Sequence, residues 1–267
     1  MRSRTFRIVL LSALLGFGLQ AAASAEKYTD EFRQTYQLGD DAEIIVSNVN
    51  GSVTVETWDR SDVELIAEKR VDASSAKAAE ELFEKVKINV YESDGRLEIE
   101  TDQPSGVSGL FDLIFGRARN ASVRYSLRVP EAAQLDLRTV NGHVSTDGAG
   151  DQTLRSTNGK IAVEGARDAV SAYSTNGSIQ VELVAVAAGP DVDLATTNGG
   201  ITLYVPADIS GRLEARTVNG SVKTDVPVSL QGSASRRRIE GDFNGDSSGR
   251  VGLRTTNGSI RIGRSGE

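Results

Sequence analysis

Chemistry in this chain has few groups to draw on. His143 is the only histidine, and there is no cysteine. Disulfides, thiolate nucleophiles, thiolate metal sites and lipid attachment through an N-terminal Cys are therefore excluded, as is a His-rich metal site. A Ser-His-acid triad would rest on His143 alone, and no Gly-x-Ser-x-Gly elbow accompanies it. Asp242, Asn244 and Asp246 have the spacing that opens a calcium loop. The sixth and twelfth positions, which an EF-hand fills with Gly and Glu, are Ser247 and Leu253, so the match fails. Polysaccharide cleavage would need clustered outward carboxylates. The acids expected to point outward are Asp136, Glu164, Glu182, Asp193 and Glu214, and they read as sharing no repeat position. Arg236-Arg237-Arg238 is either an anion site or part of a solvated strand whose alternate side chains face apart. The nearby acids favour the strand. No cofactor is implied, and the sequence reads as non-enzymatic.

The elements that position these residues announce themselves by repetition. The phrase Thr/Ser-x-Asn-Gly recurs around Asn141, Asn158, Asn176, Asn198, Asn219 and Asn257, and a related copy stands alone at Asn50. From Asn141 the spacings are 17, 18, 22, 21 and 38 residues, which signals a repeat architecture with a period near 20. Apolar residues alternate on both sides of each Asn-Gly, as in Leu194 and Thr196 before Asn198 and Ile201 and Leu203 after it. Period-two alternation means strands with one buried face. The phase slips at Asn-Gly, so the chain turns there, and both residues tolerate the positive φ of a tight turn.

Two all-β folds fit. One is a single-chain β-solenoid, parallel β-helix-like, in which each copy is one rung and the Asn residues are structural corners stacked in a column. The alternative is an antiparallel β-meander with Asn-Gly hairpins. Identical residues at one period stack like on like in a solenoid, and a meander has no such requirement, so the solenoid is preferred.

Along the chain, Arg2, Arg4 and Arg7, the apolar run Ile8 to Leu19 and the Ala23-Ser24-Ala25 cleavage site predict a signal peptide over 1–25. An N-terminal β-rich segment follows over 26–103, with an amphipathic cap helix at about 75–87 begun by Ser74 or Ser75 and expected to cover the open end of the solenoid. Residues 104–122 form a Gly-rich apolar insertion, in which Leu110, Phe111, Leu113, Ile114 and Phe115 are a candidate partner contact. The β-strand repeat array occupies 123–267. Val226 to Gly249 reads as a degenerate rung, and the last rung ends at Ile262 with an edge available for self-association.

Composition fits this plan. Aromatic residues make up only 5% of the chain, as a narrow core of Val, Ile, Leu and Ala would have. The net charge of −7 becomes −10 once the three signal-peptide arginines are removed, which argues against nucleic acid as a partner.

The early VNGSVTVETWD at Val49 to Asp59, VRYSLRVP at Val123 to Pro130, the TVNG and STNG rungs, SRRRIEG at Ser235 to Gly241 and the closing LRTTNGSIRI resemble a bacterial family of β-strand-repeat proteins. That family is described as "putative adhesins", a domain of unknown function. The resemblance covers most of Glu26 to Arg264, with Leu110 to Phe115 looking like an insertion. It implies a β-solenoid on the outer side of the inner membrane, in the periplasm or at the cell surface, and it brings no catalytic residues. The expected role is an adhesin-like binding or scaffold module of the cell envelope. Its partner would be an envelope protein or polysaccharide. The alternatives are a carbohydrate-active β-helix enzyme and an accessory subunit that senses envelope stress.

Overall fold

The structure is a computed structural model that describes residues 26–102, 121–184, 189, 191–231, 234–244 and 249–266. The predicted signal peptide over 1–25 and the candidate partner contact from Leu110 to Phe115 lie outside these residues. The N-terminal part runs β1 (Glu26–Gln37), β2 (Glu43–Asn50), β3 (Val53–Trp58), β4 (Asp62–Ala73), α1 (Ala76–Lys85), β5 (Lys87–Ser93), β6 (Arg96–Asp102) and β7 (Ser122–Pro130). Four two-strand rungs follow: β8 (Gln134–Asn141) with β9 (Val144–Asp147), β10 (Gln152–Asn158) with β11 (Ile161–Ala166), β12 (Val170–Asn176) with β13 (Ile179–Leu183), and β14 (Asp191–Asn198) with β15 (Ile201–Val205). The chain then forms β16 (Gly211–Asn219) and β17 (Val222–Thr224), β18 (Val228–Leu230), β19 (Arg238–Phe243), and last β20 (Arg250–Asn257) and β21 (Ile260–Arg264).

The strands make two sheets that enclose one core. The first has the order β1-β4-β7-β3-β9-β11-β13-β15-β21-β17, and the second β18-β19-β16-β20-β14-β12-β10-β8-β2-β6-β5. In each rung the strand before Asn-Gly lies in the second sheet and the strand after it in the first. Alternate residues from both sheets point inward and form a continuous buried cluster from Ile44 to Ile262. Copies pair with copies in parallel and in register: Asn158 sits beside Asn141 and Asn176, and Ile161 beside Val144 and Ile179. The two strands of a copy never pair with each other among the described residues, so the antiparallel meander is ruled out and the stack is solenoid-like. Neighbouring rungs are about 4.8 Å apart.

Each residue of the repeated phrase has its own task. The Asn side chains form an unbroken ladder: Asn141 donates to Asn50, Asn158 to Asn141, Asn176 to Asn158, Asn198 to Asn176, Asn257 to Asn198 and Asn219 to Asn257, all at 2.7–2.9 Å. The Thr or Ser two residues earlier is buried, and its hydroxyl donates to the Gly carbonyl of the neighbouring rung, as from Thr196 to Gly177 at 2.9 Å and Thr255 to Gly199 at 2.8 Å. Gly is required by closeness. A Cβ on Gly159 would lie 1.8 Å from the Gly142 carbonyl oxygen, and one on Gly258 1.9 Å from that of Gly199. The positive φ expected at Asn-Gly occurs only at Gly51 among these corners. Two sheets meeting at an open corner do not reverse the strand locally, so they do not need a hairpin backbone.

The order of rungs departs from the order of the sequence. β20 pairs with β14 on one side and β16 on the other, and β21 lies between β15 and β17. The last rung is therefore internal, and the free edge expected at Ile262 does not exist there. The Val226 to Gly249 interval is not a degenerate rung either. β19 runs antiparallel to β16 and β18 antiparallel to β19, closing that end of the second sheet. At the opposite end the Asn50 copy stacks directly on the Asn141 rung, and β6 and β7 add one more layer. In the Asn50 copy, Asn48 takes the place of the buried Thr. Its amide donates to the carbonyls of Gly51 and Val123, and its oxygen accepts from Thr101, which is 2.6 Å from the Tyr125 hydroxyl.

The helix is close to its expected position. Ser75 caps it, accepting from the Ala78 N–H, and Ala79 is its buried residue. It packs on Val71 and Ala73 of β4, with Tyr28, Leu82 and Phe83 around them. It covers the overhang of the long β1–β4 ladder rather than the end of the rung stack. No helix among the described residues is long and apolar enough to cross a membrane.

Candidate binding surface

Parallel register turns single side chains into rows on the outer faces. On the second sheet, the position three before Asn carries Arg138, Arg155, Tyr173, Ala195, Arg254 and Arg216 on successive strands, and Arg238 of β19 continues the row beside Arg216. The position two residues earlier holds Asp136, Thr153, Ser171, Asp193, Gly252 and Glu214. A third row, adjacent to the Asn ladder, exposes Thr157, Thr175, Thr197 and Thr256, with Val140 and Val218 at its ends. Asp136, Asp193 and Glu214 therefore do share a repeat position, contrary to the sequence reading. Glu164 and Glu182 share another, on the first sheet, where Glu56, Asp147 and Glu164 stand on adjacent strands. Unequal spacings hid these columns, because alignment to Asn is needed to see them.

The small side chain of Ala195 leaves a shallow concavity of about 540 Å³ in the middle of the row, bounded by Tyr173, Arg254, Arg216, Thr197 and Thr256. One carboxylate organises it. Asp193 accepts from the Tyr173 hydroxyl at 2.9 Å and from Arg254 Nη1 at 3.3 Å. Gly252 makes room for it, since a Cβ there would lie 3.2 Å from Asp193 Oδ1. Partial burial, then the hydrogen bond and charge of Asp193, push the Tyr173 phenol above its ordinary pKa. The guanidinium of Arg155 lies 5.5 Å from the centre of the Tyr173 ring. Asp136 holds Arg138 at 2.6 and 3.0 Å and reaches Arg155 at 3.4 Å. Arg238 pairs with Glu240. Arg216 is exposed and has no ion pair or side-chain hydrogen bond among the described residues.

The residues singled out from sequence are dispersed. His143 is exposed, and its Nδ1 accepts from the Lys160 N–H of the next rung. Its side chain makes no hydrogen bond or ion pair with a serine or an acid among the described residues. Asp242 is buried on β19 and accepts from Gln231, while its Oδ1 has no hydrogen-bond partner among the described residues. Asp246, the fifth position of the calcium-like run, lies outside the described residues, and no group of three or more metal-ligating side chains occurs among those described. Arg236 and Arg237 occupy a turn and Arg238 opens β19, so the triple Arg is only partly a strand. Sequence reasoning missed the cluster of Tyr173, Asp193 and Arg254 because its members are 20 and 61 residues apart.

Two all-β sheets built from in-register copies of one phrase, each copy contributing a strand to both, define a solenoid-like β-strand-repeat protein. Residues 40–263 match the Toastrack DUF4097 family, and the chain belongs to it. Its fold is similar to that of a "putative cell adhesion protein" from Clostridium sporogenes, with a TM-score of 0.53 and 14% identity over 89% of this chain and 100% of that one. A "putative adhesin" from Bacteroides fragilis aligns with a TM-score of 0.33 and 10% identity over 87% of this chain and 97% of that one. No curated protein sequence matches the chain.

Proposed function

We propose that this protein is an exported, non-enzymatic binding or scaffold module of the bacterial cell envelope, adhesin-like in that a broad sheet face is its working surface. The observation that carries this reading is the register. Stacking identical rungs fixes outward side chains in straight rows, on strands whose cores are packed and whose corners are tied by the Asn ladder. Such a surface presents many weak, evenly spaced contacts. The polar groups on it, among them the Tyr173 hydroxyl held by Asp193, are placed to make those contacts. The sequence features of the first 25 residues support export, and the net negative charge disfavours nucleic acid.

The test is co-sedimentation of the purified protein with fractionated envelope from its own cells. Saturable binding to one fraction is expected. Absence of binding to every fraction sinks the reading. A folded variant with Leu110, Phe111, Leu113, Ile114 and Phe115 made polar separates the two candidate surfaces: retained binding assigns it to the sheet faces, and lost binding to that segment.

A further inference from the structure

We propose that the outer face of the second sheet around Ala195 binds a linear, carboxylate-bearing polysaccharide lying across the strands. The inference rests on the binding-module reading and names its ligand. Arg254, Arg216 and Arg238 stand side by side on adjacent strands, whose backbones are about 4.8 Å apart; Arg254 is held by Asp193 and Arg238 by Glu240, with Arg216 between them. A pyranose residue is about as long as one rung is tall, so a sugar chain running along the row meets one rung per residue. Arg forks match carboxylates in bidentate geometry. Arg216 has no ion pair or side-chain hydrogen bond to give up among the described residues.

The rest of the concavity suits the uncharged parts of such a chain. Tyr173 forms an aromatic wall, and the exposed hydroxyls of Thr197 and Thr256 line the rim. Asp193 and Glu214 lie one row below the arginines. They offer acceptors to sugar hydroxyls and repel any polymer with a dense charge. A uronate glycan, with one charge and several hydroxyls per sugar, satisfies both rows, whereas a polyphosphate satisfies only one. The concavity is shallow and spans the strands from β12 to β16, which fits a polymer lying over the surface better than a small molecule that would need enclosure.

The experiment is affinity electrophoresis of protein purified from cells expressing the full chain, through gels containing polygalacturonate, dextran sulfate or neutral dextran. Retardation by polygalacturonate that weakens with added salt is expected, with no retardation by dextran. Arg216→Gln should weaken binding about fivefold, the effect of one charge-assisted contact at an exposed site. Glu164→Gln, on the opposite sheet, should leave binding unchanged. Thermal unfolding confirms that both variants are folded. Equal retardation by dextran, retardation by dextran sulfate alone, or an Arg216→Gln variant that binds as tightly as the wild type overturns the proposal. Envelope co-sedimentation without polygalacturonate binding overturns the ligand class alone, and loss of both overturns the binding-module reading as well.

Discussion

Asn257 donates its side-chain amide to Asn198 at 2.8 Å across 59 residues of sequence, and Asn219 in turn donates to Asn257 at 2.7 Å. The last copy of the repeat is thus the sixth step of the ladder, and the copy synthesised before it is the seventh. A linear repeat protein that loses its final repeat is merely shortened. Here, removal of residues 249–267 leaves β14 and β16 facing an empty slot with both ladders open. The expected result is loss of cooperative unfolding and association of the truncated chains, measured by urea titration and size-exclusion chromatography. A truncated chain that stays monomeric and unfolds in one transition counts against this topology.

The corner glycines should be intolerant for steric rather than conformational reasons. Gly159→Ala would bring a methyl group to 1.8 Å from the Gly142 carbonyl oxygen, so two rungs must separate. A loss of about 4 kcal/mol or failure to fold is expected. Gly39→Ala is the comparison: its Cβ meets nothing within 4 Å, and its φ of 92° alone opposes the change. It should cost about 1 kcal/mol. Chemical denaturation of the two variants distinguishes crowding from backbone strain.

Thr196→Val keeps the shape of a buried side chain and removes the hydroxyl that donates to Gly177 at 2.9 Å. The stranded carbonyl predicts a loss of about 1–2 kcal/mol. Thr197→Val, one residue on, faces solvent and should change stability by under about 0.5 kcal/mol. Equal effects at the two positions would contradict the assigned faces.

Tyr125 gives the fold a base-sensitive point. Burial pushes its phenol up to about 12, while the Thr101 hydrogen bond pulls weakly the other way. Tyr36 is raised as well, by burial and by the charge of Glu92. A phenol whose folded pKa is raised binds its proton more tightly in the native state. Its stabilising effect is full below the unfolded value near 10 and falls as pH rises through 12. The protein should therefore lose stability above pH 10, and Tyr125→Phe should reduce that dependence while removing a hydrogen bond worth about 1 kcal/mol. Urea midpoints between pH 8 and 11 test the slope. A wild-type slope that matches the variant's would exclude Tyr125 as its source.

Much of this architecture is legible in the sequence because each repeated residue has one local partner. Asn needs another Asn, Thr needs the neighbouring Gly carbonyl, and alternate Leu, Val and Ile need a shared core. The period and phase report these requirements directly. The exchange of the last two rungs is not legible from the spacing of the repeat, since the Asn198, Asn219 and Asn257 copies carry the same Thr-x-Asn-Gly phrase. β20 fits between β14 and β16 through strand pairings and the long β18–β19 excursion, which carries no repeat signal. The candidate surface was hidden for a related reason. Outward residues escape the core's constraint and vary from copy to copy, and only the order of the rungs in space puts Arg254 between Ala195 and Arg216.

The layer made by β6 and β7 shows how freely a corner can be rebuilt. β6 ends at Asp102 in the second sheet and β7 starts at Ser122 in the first, and Val123 aligns with Gly51, so nineteen residues of sequence separate these two strands where two separate β8 from β9. Closing a longer excursion costs only about 0.6 kcal/mol for each doubling of its length, and neither sheet loses a strand. Corners on the ladder side are therefore natural grafting points. New peptide length can enter there without re-registering the stack, so related chains can diverge along one edge while both broad faces and the core between them stay the same.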